Sequence, residues 1–167
     1  MIIGILEEPP EFATALDNLG LLYKIVGNDT DAEPLLLHAL EICRTLSEES
    51  PDFVTNLNSL ARLYSALGRY NEADQRYQLA LDIVRTAIGE DDEYFIRALI
   101  NLASLCKIMG HYAATEPLYQ QALAFWQARG GVTPPEVVLI MHHLAELYIR
   151  LEQYREAKPL RSISCSL

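Results

Sequence analysis

Few side chains in this sequence are placed to do chemistry. The strongest constellation is His142-His143 with Glu146. On a helix, residues four apart share a face, so His142 and Glu146 would stand side by side. Two such ligands begin a zinc site or an acid–base pair, but a structural or catalytic zinc needs a third, and no third ligand is evident. The HExxH arrangement is absent. A metal-dependent enzyme using His142, His143 and Glu146 is therefore the alternative against which a non-catalytic protein is weighed. Cys106 has no adjacent base to make its thiol a nucleophile. Gly130-Gly131 is a lone pair and not a phosphate-binding loop. No cofactor is expected.

The elements that would carry these residues repeat along the chain. Residues 56–84 read NLNSLARLYSALGRYNEADQRYQLALDIV. Leu57, Leu60, Ala61, Tyr64 and Leu67 recur at three-then-four spacing, as do Tyr70, Ala73, Tyr77, Ala80, Leu81 and Val84. Each run predicts a helix with one buried face. Gly68 stands between them, where a left-handed residue closes a helix at low cost. Gly27, Gly68, Gly110 and Glu152 follow one another at 41, 42 and 42 residues. On those offsets the first helices align Leu16, Leu57, Leu99 and Met141, then Leu19, Leu60, Leu102 and Leu144. The next columns hold Gly20, Ala61, Ala103 and Ala145, then Tyr23, Tyr64, Cys106 and Tyr148. The second helices align Ala32, Ala73, Thr115 and Ala157, then Leu36, Tyr77, Tyr119 and Arg161, then Ala39, Ala80, Ala122 and Ser164. Periodicity of this size predicts a stacked helical array.

These columns resemble the tetratricopeptide repeat. The period of about 42 residues exceeds the usual figure of about 34, and in this longer form the chain is similar to kinesin light chain repeats. The resemblance implies an all-α, right-handed α-solenoid of stacked antiparallel helix hairpins. Residues 1–11 would be an N-terminal extension. Residues 12–167 would be the array, with repeats at about 12–50, 51–92, 93–133 and an incomplete 134–167. It also implies a concave groove lined by the first helix of each hairpin. Carried over by column, the peptide-binding residues are Asn18, Asn58, Arg62, Arg97, Asn101, Lys107 and His142. Asparagine suits that role, because its amide both donates to and accepts from an extended backbone. The implied function is a non-catalytic scaffold for a protein or peptide ligand. A second possibility is a regulatory or sensor fragment of a larger multidomain signalling protein.

Composition bounds the partners. The formal net charge is −10 and no Lys/Arg cluster occurs, so nucleic acid is not an expected ligand. No apolar run approaches the roughly 18 residues of a membrane span, and MIIGIL lacks the basic start of a signal peptide. Three cysteines, Cys43, Cys106 and Cys165, do not form a disulfide framework, so a reducing, cytoplasmic setting is expected.

Local signals place the helices. The expected spans are about Glu11–Val26, Asp29–Leu46, Pro51–Leu67, Tyr70–Ile88, Asp92–Met109 and His111–Arg129, then one from Pro134-Pro135 to about Leu151 and a short one from Tyr154. Pro34 and Pro117 are expected in the first turn of their helices, where proline is tolerated. The fourth repeat degrades after Leu160. Leu144, Leu147, Tyr148 and Leu151 should then lose part of their cover, leaving a C-terminal end open to self-association or to further repeats.

Overall fold

A computed structural model describes residues 9–90, 92–129, 135–153 and 155–157. The expectations for Met1–Leu6, Gly130-Gly131, Pro134, Tyr154 and the tail from Leu160 to Leu167, Cys165 included, lie outside those residues. Seven α-helices are described: α1 (Pro10–Ile25), α2 (Asp29–Leu46), α3 (Pro51–Ala66), α4 (Tyr70–Ile83), α5 (Glu93–Ile108), α6 (Tyr112–Arg129) and α7 (Pro135–Arg150). They fall into two compact units, Met1–Glu90 and Asp91–Leu167. In the first, α1 pairs with α2, α3 with α4, and α2 packs on α3. In the second, α5 pairs with α6, and α6 packs on α7.

Each hairpin turn is closed by the same backbone device. The Gly27 amide bonds the Lys24 carbonyl (3.1 Å) and the Asn28 amide bonds that of Tyr23 (2.8 Å). Gly68 and Arg69 repeat this on Ser65 and Tyr64, Gly110 and His111 on Lys107 and Cys106, and Glu152 and Gln153 on Ile149 and Tyr148. The pivot is left-handed each time, with φ of 79°, 74°, 77° and 59°. These paired bonds satisfy carbonyls that a helix end leaves orphaned. Helix starts are also locally encoded. The Ser50 hydroxyl accepts from the Phe53 amide (3.1 Å) and the Asp92 carboxylate from that of Tyr94 (2.9 Å). Such a cap contributes about 1 kcal/mol.

The aligned columns form the core. Leu16, Leu57, Leu99 and Met141 are buried, as are Gly20, Ala61, Ala103 and Ala145, and Ala32, Ala73, Thr115 and Ala157. The small residues sit where helices cross closely: a Cβ on Gly20 would stand 2.8 Å from the Leu36 side chain. Arg69 ties the first unit together. It holds both oxygens of Glu33 at 2.8 Å, bonds Glu72 at 2.6 Å, and lies 4.1 Å over the Tyr64 ring.

Several local expectations are corrected. Pro34 and Pro117 occupy the sixth position of α2 and α6, not the first turn. Both are exposed, and each removes the amide that a helix interior position would donate. The helix expected over Tyr70–Ile88 is α-helical only to Ile83, and Val84–Ile88 form a π-helical turn. There Thr86 donates its hydroxyl to the Asp82 carbonyl (2.8 Å), the acceptor that an α-helix reserves for the Thr86 amide. The Gly89 amide then reaches back to Val84 (2.7 Å). In the first repeat, Leu19 is exposed and Tyr23 half-buried, although their columns are core elsewhere. The cause is the missing neighbour: α2 packs on α3, whereas no described helix covers the matching face of α1. Leu22 is accordingly 54% exposed where Leu63 is fully buried. At the other end, Leu144, Leu147 and Tyr148 are buried, and only Leu151 of the four expected apolar residues is exposed.

Candidate functional site

The residues expected to bind a peptide divide between the two units: Asn18, Asn58 and Arg62 in the first, Arg97, Asn101, Lys107 and His142 in the second. In the first unit the polar face of α1 and α3 is knitted together. The Ser59 hydroxyl donates to Asp17 Oδ2 at 3.1 Å. Asp17 is only 5% exposed, and its other oxygen has no partner among the described residues. Burial pushes its carboxyl above the usual range, while Ser59 and the Arg62 charge pull it back. Burial and the Arg62 charge together hold the Lys24 ammonium below its ordinary value, against Asp29. Asn18 and Arg62 are exposed. Asn58 is buried, and its amide donates to the Val54 carbonyl of its own helix (2.9 Å).

The second unit carries the denser network. Lys107 on α5 donates to Glu146 on α7 at 2.5 Å, and His142 Nε2 stands 3.3 Å from the other oxygen of that carboxylate. Glu146 is held below the usual carboxylate range, first by the Lys107 bond and further by the Lys107 charge. Beside it, Ser104 on α5, Tyr119 on α6 and His143 on α7 form a chain: Ser104 Oγ to Tyr119 Oη 3.0 Å, Tyr119 Oη to His143 Nδ1 2.9 Å. Arg97 is exposed and lies 5.4 Å over the Tyr94 ring; Asn101 is half-buried.

Of the residues named from sequence, the fold brings Lys107 and His142 together at Glu146. The adjacent histidines, however, diverge to different partners. His142 turns to Glu146 and His143 to Tyr119, so the three do not share one centre. Among the described residues, no group of three or more His, Cys, Asp or Glu side chains is placed to hold a metal ion. Cys106 is buried, as its column predicts, and burial pushes the Cys43 thiol up, away from the reactive thiolate. Tyr119 stands in an aligned column of the second helices, which predicts a core residue. Its ring is fully buried, but its hydroxyl reaches the polar face. The signal was the column itself: a tyrosine where the first repeat has Leu36 carries an oxygen that must find a partner. The first unit also holds a cleft of about 440 Å³; Leu40, Phe53, Leu57 and Leu79 contribute apolar walls, and Arg44 and Arg76 also line it.

Among the described residues, no helix is long and apolar enough to cross a membrane. No curated protein matches the chain. Among solved structures, BtubC (BKLC) from P. vanneervenii superposes with a TM-score of 0.86 at 21% identity, over 98% of this chain and 66% of that one. A putative kinesin light chain from Podosopora anserina with nearly identical TPR-like repeats gives 0.84 at 23% identity, over 95% and 76%. A Rap protein complexed with Competence and Sporulation Factor gives 0.81 at 16% identity, over 96% of this chain and 44% of that one. The chain thus spans just under two thirds of the first and under half of the last. At these identities the likeness is one of fold: an all-α, right-handed solenoid of stacked hairpins. The family model of the tetratricopeptide repeat matches residues 11–86 and 94–160, and with the helix columns above this shows that the chain belongs to the tetratricopeptide repeat family, with repeats of the kinesin light chain type.

Proposed function

We propose that this protein is a non-catalytic scaffold that binds a peptide or an extended protein segment on the polar face of α5 and α7, with the polar face of α1 and α3 as a separate surface of the first unit. The observation that carries this is the network of the second unit. Lys107 is bonded to Glu146, and Ser104, Tyr119 and His143 form a chain beside them across three helices, next to a His142 side chain that is 61% exposed. A polar surface ordered in advance loses little side-chain entropy when a ligand docks. Asn18 and Arg62 offer exposed polar groups in the first unit. The Rap protein of similar fold is complexed with a factor, which agrees with ligand binding by such arrays. The net charge of −10 disfavours nucleic acid and favours a neutral or basic partner. The setting we infer is cytoplasmic.

The test is a pull-down with the intact chain as bait, followed by calorimetry with the captured partner. Lys107→Ala with His142→Ala should weaken binding by about tenfold or more, on the scale of hydrogen bonds to charged groups. A partner whose affinity ignores both this pair and Asn18→Ala with Arg62→Ala would place binding on other surfaces.

A second reading is favoured by α1. Phe12, Leu19 and Leu22 are exposed, whereas their counterparts Phe53, Leu60 and Leu63 on α3 are buried. In this reading the chain is a regulatory or sensor array within a longer signalling protein, and a further helix covers α1. A longer parent reading frame encoding such a helix is the deciding observation.

A further inference from the structure

The Ser104–Tyr119–His143 chain ends at a fourth atom. Ser104 Oγ also lies 2.8 Å from the Ile100 carbonyl oxygen, one turn back on α5. The linkage therefore runs Ile100 O, Ser104 Oγ, Tyr119 Oη, His143 Nδ1, with successive separations of 2.8, 3.0 and 2.9 Å. Each contact this short between electronegative atoms needs a proton between them. Three contacts need three protons, and the carbonyl at one end has none to give. Ser104 and Tyr119 supply one each. The third must come from His143.

Only one arrangement satisfies this count. Ser104 donates to Ile100, Tyr119 donates to Ser104, and His143 Nδ1–H donates to Tyr119. Burial favours the neutral form of both ring systems, holding the Tyr119 phenol above and the His143 imidazole below their usual ranges. A neutral imidazole with its proton on Nδ1 has a bare lone pair on Nε2. His143 is partly exposed, and no partner for Nε2 is present among the described residues.

We infer that His143 Nε2 is a hydrogen-bond acceptor site for the ligand of this face, and that Tyr119 is the positioning residue that keeps it so. The chemical class it takes is a neutral or cationic donor, such as a backbone or side-chain amide, a hydroxyl or an amine. A carboxylate or phosphate oxygen at that place would meet a lone pair instead of a proton. The groups around it are consistent with a donor. Glu146 and His142 stand beside it on α7, and Lys107 on α5 is already bonded to Glu146. Tyr119 on α6 bonds Nδ1, and Cys106 on α5 acts on the Tyr119 phenol behind it. The ligand part of this inference rests on the peptide-binding function proposed above; the tautomer does not.

The two are separable by nitrogen NMR of the His143 ring. In the free protein near neutral pH, the proton is expected on Nδ1. In Tyr119→Phe, which keeps the buried ring but removes the oxygen, that preference is expected to vanish. A proton on Nε2 of the free parent protein overturns the inference while leaving the proposed function untouched. For the ligand, the probe is the tightest binder selected on the whole protein from a random dodecapeptide library. It should move the Nε2 resonance as an accepted hydrogen bond does, and His143→Phe should weaken it about threefold to tenfold, the worth of one such bond. A peptide that binds without moving that resonance overturns the acceptor role. A library with no binder overturns the proposed function, and the ligand assignment falls with it.

Discussion

Ser59 donates its hydroxyl to Oδ2 of Asp17 across 3.1 Å, joining α3 to α1 over 42 positions of sequence. Among the described residues that long bond is the one hydrogen bond to a carboxylate that is almost fully buried and whose second oxygen is unpaired. Burial raises its folded pKa above the unfolded value, so the native state holds the proton more tightly. Stability from this group is then full below the unfolded carboxylate value of about 3.9 and falls as pH rises through the folded one. Asp17→Asn keeps an oxygen for Ser59 and removes the charge. Its melting temperature should exceed the parent's at pH ~7, with the advantage gone near pH ~4. A lower melting temperature at neutral pH would mean that the charge is itself stabilising.

His143 should behave with the opposite sign. Burial, then the Lys107 charge, lowers its folded pKa, so the native state gives up the proton more readily than the unfolded chain. Its contribution is full above the unfolded imidazole value of about 6.5 and is lost as pH falls through that value towards the folded one. The parent should lose thermal stability on acidification across this window, and His143→Gln should lose less. Parallel melting curves for the two proteins would remove this assignment.

Gly20 faces Leu36 so closely that an added Cβ would lie 2.8 Å from both Cγ and Cδ2 and 3.3 Å from the Ala32 carbonyl. Gly20→Ala gains up to about 1 kcal/mol of helix propensity but overpacks a core crossing, which costs about 1–3 kcal/mol. A net loss of about 1 kcal/mol is expected by denaturant titration. A net gain would show that Leu36 yields easily.

The four hairpin turns allow a paired test. Glu152 is the one described non-glycine residue with positive φ, at 59°. Glu152→Gly should stabilise by about 0.5–1 kcal/mol, because an L side chain is strained there and glycine is not. Gly68 has φ of 74° with nothing within 4 Å of a built Cβ. Gly68→Ala should therefore lose about 1 kcal/mol through the backbone alone. Denaturation midpoints that move in the same direction for both would break the equivalence of these turns.

The sequence by itself determined where helices begin and end and which face of each is buried. Capping at Ser50 and Asp92, left-handed closure at Gly68 and Gly110, and three-then-four apolar spacing are local effects, decided within one or two turns of chain. The repeat columns extended this to packing. Ala61, Ala73, Ala103 and Ala122 are all fully buried, because a small residue recurring at one register position marks a close crossing. Where a local rule had two solutions, the expectation failed: proline at the sixth position rather than the first turn at Pro34, and a π-helical turn rather than α-helix after Ile83.

Only the tertiary structure decided the partners of the polar side chains. Adjacent His142 and His143 carry the same chemistry in sequence, yet one meets Glu146 and the other Tyr119. Asn58 and Asn18 lie one register position apart in the repeat, yet one is buried and the other exposed. Successive residues on a helix point about 100° apart, and which direction meets a neighbour depends on helices some 40 residues away. The same dependence left Leu19 and Leu22 uncovered on α1 while their counterparts on α3 are buried: burial belongs to a pair of helices, and a column of one sequence records only one of them.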